Sequence, residues 1–160
     1  MRRNGSLAES VRTLIQEYGA VVRSEVAEYL RHRKRQQLVG AEAINCQRHS
    51  MRAGERVVKV LQLPCVRWQG AVAFRGKPLF SGNGGDFHEW LEVPGFYSII
   101  DFTLAYHIWA RAVNPSQRLP RTTVLAHPWQ PGAASQVAIK AVSYRAHRHH
   151  QLTNSGGYWR

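Results

Sequence analysis

The sequence predicts an α+β protein: helices and a strand ribbon in its first half, then an α+β extension built around one apolar helix. Three observations carry this. Leu7, Val11, Leu14, Ile15 and Tyr18 recur at the spacing of one helical face. Residues 66–74, Val-Arg-Trp-Gln-Gly-Ala-Val-Ala-Phe, are rich in the branched and aromatic side chains that suit a pleated surface. The chain has 160 residues, of which 44% are hydrophobic and 10% aromatic, so it can bury a core and is not of disordered composition.

Residues 1–5 read as a short basic arm. Ser6 and Glu9 then form a capping box ahead of the first apolar stripe, and Gly19 predicts its end. A second helix is expected over about 24–33, capped by Ser24, with Glu25 and Glu28 early and Arg31 and Arg33 late, an order that suits the helix dipole. A third is expected over Val39 to Ala53, stopped by Gly54. On it Asn45, Arg48, His49 and Arg52 share one outward stripe. Val57 to Leu63 reads as a strand, 66–74 as a second strand or a pair of strands, and Arg75-Gly76-Lys77-Pro78 as a basic turn.

Two short helices, a polar third helix and a strand ribbon, spread over residues 6–75 of a basic chain, resemble the winged helix-turn-helix DNA-binding proteins. The resemblance implies a recognition helix at 39–53 and a basic wing. Asn45, Arg48, His49 and Arg52 would face the groove, where Arg pairs with guanine and Asn with adenine. Arg31, Arg33, Lys34 and Arg35 would lie along phosphates, and Arg56, Lys59, Arg67, Arg75 and Lys77 would decorate the wing. The chain would then divide into a winged-helix-like module, 1–80, and an α+β extension, 86–160, built around one apolar helix over Phe96 to Val113 and serving dimerisation or partner binding.

Charge agrees with that partner class. The net charge is +12, and a surplus of this size favours polyanions. Four of the ten acids (Asp86, Glu89, Glu92 and Asp101) stand between 81 and 101 with no Lys or Arg among them, and no acid follows Asp101. Gathered round a divalent ion, these four would make a metal-dependent nuclease, the alternative enzymatic reading. A second alternative is an RNA-binding or ribonucleoprotein component, with Trp68, Phe74, Tyr158 and Trp159 stacking on bases.

Other motifs are excluded by spacing. Ser81-Gly82-Asn83-Gly84-Gly85 is followed by no Gly-Lys-Ser/Thr and is a hinge, not a nucleotide loop. His88-Glu89-Trp90-Leu91-Glu92 lacks the second histidine of a zinc-protease helix. His107 is expected to be a hydrogen-bonded core histidine. The Arg- and His-rich run 145–150 lacks the carboxylate or thiol partners of a metal site. Cys46 and Cys65 fit no disulfide or zinc pattern and are expected to pack as small apolar residues in a reducing compartment. The expected protein is thus a non-catalytic nucleic-acid binder, DNA ahead of RNA. It needs no cofactor, no metal and no membrane, can form a homodimer, and is cytoplasmic or nucleoid-associated.

Overall fold

The computed structural model describes residues 2–112 and 118–153. Helix α1 runs unbroken from Arg2 to His32. Two 3₁₀ turns, Arg35–Leu38 and Glu42–Ile44, lead into α2, Cys46–Leu61. The strands follow: β1 (Cys65–Phe74), β2 (Lys77–Phe80), β3 (His88–Val93), β4 (Tyr97–Asp101), β5 (Leu125–Pro128), β6 (Gln136–Ile139) and β7 (Val142–Leu152). Helix α3, Leu104–Arg111, separates β4 from β5. The strands make a single antiparallel, nearly closed barrel-like sheet in the order β5-β4-β3-β1-β7-β6, with β2 also paired to β1.

This corrects the winged-helix expectation. The two predicted N-terminal helices are one. Gly19 does not stop α1, because the apolar stripe continues through Val22 and Val26, and burying that face outweighs glycine's helix penalty. A Cβ on Gly19 would meet Val124 Cγ2 at 2.6 Å, so this glycine permits a close approach. The basic arm is likewise absorbed into α1, which begins at Arg2. The third helix expected over 39–53 is one 3₁₀ turn, Glu42–Ile44, followed by the start of α2, and α2 continues to Leu61 through most of the predicted strand at Val57–Leu63. Ala53, Gly54, Val57 and Val58 are buried while Val60 is exposed, a helical period that the branched side chains do not override. Gly54 sits inside the helix because Leu152 packs where its side chain would stand. Helix α2 ends instead at Gln62, in the left-handed region at φ 54.

The apolar helix expected over Phe96 to Val113 is half strand. Gly95 turns the chain at φ +87, the Phe96 N–H bonds the Val93 carbonyl, and Tyr97–Asp101 pairs with both β3 and β5. Only Leu104–Arg111 is helical. Pairing between β1 and β7 extends from Cys65↔Leu152 to Phe74↔Val142. Successive residues of a strand face opposite ways, and the core divides accordingly. Leu91 joins Val11, Ile15, Leu38, Val57 and Cys65 under the helices. Trp90 joins Val72, Ile99, Leu104 and Tyr144 on the other face.

Gly70 stands at an irregularity in the β1–β7 register. A Cβ there would collide with the Arg145 carbonyl and lie 2.7 Å from Ala146 Cα, both backbone. Gly84, at φ +60, has open space around it. We predict that Gly70→Ala costs more than about 3 kcal/mol and Gly84→Ala about 1 kcal/mol, read from urea denaturation midpoints. Equal costs would contradict the described β1–β7 pairing.

Candidate active site

Cys46 is the first residue of α2 and is half-buried. Asn45 caps the helix: its Oδ1 accepts the Arg48 N–H at 3.0 Å, and its carbonyl accepts the His49 N–H at 3.2 Å. The leading amides, those of Cys46 and Gln47, have no partner among the described residues. The sulfur therefore lies at the end of a helix where unsatisfied N–H groups collect.

The turn that delivers Cys46 is pinned by two histidines. His49 Nε2 lies 3.0 Å from the Ala43 carbonyl, and its Nδ1 lies 2.9 Å from the Tyr18 hydroxyl. The neutral ring satisfies both contacts by donating from Nε2 and accepting at Nδ1. Burial pushes its pKa below the usual value. His107, on α3, lies with Nε2 3.2 Å from the Ile44 carbonyl. Burial, then the charges of His88 and Arg111, push its pKa down to about 3, so it stays neutral. This is the hydrogen-bonded core histidine that the sequence led us to expect.

Beside Cys46 stands His88, the first residue of β3 and fully buried. Its Nε2 is 2.7 Å from Asp101 Oδ2, at the end of the neighbouring strand β4. The same oxygen accepts the Tyr144 hydroxyl at 2.8 Å, and Oδ1 accepts the N–H groups of Thr103 and Leu104, each at 3.1 Å. Burial alone would lower the His88 pKa. The Asp101 carboxylate, by charge and by hydrogen bond, outweighs it and raises the pKa to about 10, with a smaller contribution from the Cys46 thiol. Burial acts against Asp101 too, but the imidazolium and the Tyr144 and backbone donors hold its pKa below the carboxylate norm. Nε2 of His88 is taken by Asp101, and Nδ1 has no hydrogen-bond partner among the described residues, which leaves it free for a proton exchange on the side away from the carboxylate.

Phe80 covers this ring. It stacks on His88 with centroids 4.7 Å apart and meets His107 edge-on at 5.1 Å, with the Arg111 guanidinium 5.4 Å from its centre. On the opposite face of β3, Glu89 bonds the buried Arg67 and, at 3.2 Å, the Gln69 amide. The Gln69 oxygen in turn accepts from Arg148.

The residues singled out for nucleic-acid contact do not form one surface. Asn45 is a helix cap. Arg48 bonds Glu25 at 3.3 Å and the Glu42 carbonyl at 3.2 Å; Arg52 lies 3.7 Å from Glu25, and His49 is buried. Arg31 pairs with Glu28 at 3.0 Å, Arg35 bonds the Ala112 carbonyl at 3.0 Å, and Arg67 is buried against Glu89. Arg33, Lys34, Arg56, Lys59, Arg75 and Lys77 are exposed. Of the acids weighed for a metal, Glu89 and Asp101 serve separate buried networks, Glu92 accepts from Trp68 at 3.2 Å, and Asp86 ties the 81–86 loop. Among the described residues no three His, Cys, Asp or Glu side chains are placed to hold a metal ion. Tyr158 and Trp159 lie outside the described residues. Among those residues, no helix is long and apolar enough to cross a membrane.

Sequence reasoning missed Cys46: it was expected to pack as a small apolar residue inside a helix over 39–53, whereas it is only partly buried and stands at the first position of α2. The available signal was the pair Asn45-Cys46, a cap followed by a thiol. Cys65 does pack as expected: it is fully buried, and burial pushes its thiol up to about 12.

Because the His88 pKa is raised from 6.5, its pairing stabilises the fold fully below 6.5, and that contribution is lost as pH rises through about 10. The lowered Asp101 pKa adds stability above 3.8 that is lost as pH falls. Asp101→Asn should cost about 3–5 kcal/mol near neutrality. It should also flatten the decline of the denaturation midpoint between pH 6.5 and 10. An unchanged slope would contradict the assigned pair.

Comparison with protein-family models, with curated proteins and with solved structures finds no match to this chain; its chemistry is read from its own geometry.

Proposed function

We infer that the protein is a thiol-dependent acyl-transfer enzyme, a hydrolase or acyltransferase, with Cys46 as nucleophile and His88 as its acid and base. One observation carries this reading: a half-exposed cysteine at a helix N-terminus beside the open nitrogen of a histidine whose other nitrogen is fixed, at 2.7 Å, by a buried carboxylate. Nucleophile, imidazole and orienting carboxylate recur on unrelated folds for acyl transfer, and are recognised by geometry and role.

The chemistry follows from the charges. Near neutral pH His88 is an imidazolium held by Asp101. The Cys46 thiolate attacks a substrate carbonyl, forming the carbon–sulfur bond, and the carbonyl oxygen takes up the negative charge. The unpartnered amides of Cys46 and Gln47 are the donors available to that oxygen. His88 then gives its Nδ1 proton to the leaving group as the bond to it breaks, and a thioester remains on Cys46. Water or an amine next gives a proton to Nδ1 and attacks the thioester, which returns the thiolate. Asp101 is a positioning residue. It fixes the ring and stabilises its charge, while Tyr144 and the amides of Thr103 and Leu104 keep it ionised.

Polyanion binding is a second reading, supported by the net charge of +12 and by the exposed Arg33, Lys34, Arg56 and Lys59. Without a groove-reading stripe it would be independent of base sequence, and its affinity should fall steeply with salt.

The thiol reading predicts that iodoacetamide alkylates Cys46 at least about a hundredfold faster than the buried Cys65 and faster than a free thiol. His88→Ala should slow Cys46 by about tenfold or more. Site-resolved mass spectrometry over a time course measures both. Labelling of Cys46 at the free-thiol rate, indifferent to His88, would sink the reading.

A further inference from the structure

A polar cleft of about 250 Å³ opens beside the His88 end of β3, and Gln69, Gly70, Phe87, His147 and Arg148 line it. Three links connect it to the helix that carries the thiol. Gly70 pairs across the sheet with His88, and Phe87 immediately precedes it. Ser50, one helical turn after Cys46, lies 3.5 Å from the Glu89 carbonyl, the residue after His88. The cleft and the first turns of α2, which carries the thiol, are therefore both joined to the His88 end of β3.

The cleft is built round one cation. Arg148 donates its Nε to Gln69 Oε1, and its guanidinium carbon lies 5.5 Å from the centre of the Phe87 ring. Gln69 is itself held, because its amide donates to Glu89 Oε2. Glu89 is already matched by Arg67, and no carboxylate among the described residues pairs with Arg148. The chain thus spends a buried glutamine and an aromatic ring to hold a guanidinium by its stem, while the Nη fork makes no bond among the described residues. The loop that closes the cleft is shaped to come close. Gly82, at φ +81, lies where a Cβ would strike His147 and the Ala71 N–H, and Asp86 pins the loop by accepting the Ser81 N–H at 2.9 Å.

We propose that this cleft is a carboxylate subsite of the acyl-transfer site, and that Arg148 selects substrates carrying a carboxylate close to the reactive carbonyl. A fixed guanidinium fork matches the two oxygens of a carboxylate better than a lysine point charge does. The proposal rests on the thiol reading, and its test separates the two.

Cys46 is alkylated with neutral iodoacetamide and with iodoacetate, which carries the carboxylate, and the ratio of the two rates is compared between wild type and variants of Arg148. The ratio, rather than either rate, is diagnostic, because the charge of His88 attracts iodoacetate in every variant. Arg148→Gln should lower the iodoacetate-to-iodoacetamide ratio by about fivefold and leave the iodoacetamide rate unchanged. Arg148→Lys, which keeps the charge without the fork, should fall between. If Arg148→Gln also loses the iodoacetamide rate, its fold has suffered and Arg148→Lys decides. Rapid iodoacetamide labelling with a ratio indifferent to both variants would overturn the subsite and leave the thiol reading standing. Slow iodoacetamide labelling in wild type would remove both.

Discussion

The His88–Asp101 pair is the constraint to which the rest of the fold answers. Removing two opposite charges from water is costly, and their attraction repays it only when each remaining lone pair and proton has a partner. Asp101 meets that condition with donors from three places: His88 on β3, Tyr144 on β7, and the two amides that open α3. The same contacts tie β4 to strands on either side of β1 in the sheet and set where α3 begins. A buried ion pair is a poor way to gain stability, since apolar residues of the same volume would serve as well or better. Its presence at a strand end, next to a thiol, is understandable if the charge on the imidazole is used.

The three histidines around the start of α2 divide by role. His49 and His107 are kept neutral by burial and hold the backbone of Ala43 and Ile44, so they fix the turn from which Cys46 emerges. His88 alone of the three is raised, because it alone faces a buried carboxylate. Phe80 stacks on the His88 ring and covers it on one side. Across β3, Arg67, Glu89, Gln69 and Arg148 form a second polar chain, and it ends at the surface on a cation.

Much of the local pattern was legible in the sequence. Val11, Leu14, Ile15 and Tyr18 are buried on one face of α1, and 66–74 is strand. What misled was punctuation. Gly19 and Gly54 read as helix stops, yet both lie where Val124 and Leu152 need room, a tertiary reason that local propensity does not contain. Val57, Val58 and Val60 read as strand by composition, whereas their burial follows a helical period. Tyr97–Asp101 read as helix because its aliphatic residues run into those of α3. Those boundaries hid the candidate site. Cys46 becomes visible only when α2 begins at it, and His88 meets Asp101 only when residues 88–101 fold as a hairpin.

A nucleophilic Cys46 can be caught as its acyl-enzyme. With p-nitrophenyl acetate as donor, the account predicts a burst of nitrophenol and an intact protein heavier by one acetyl group, mapped to Cys46. Both should be absent from Cys46→Ala and strongly slowed in His88→Ala. Acetylation spread over lysines, with no burst and no dependence on Cys46, would contradict it.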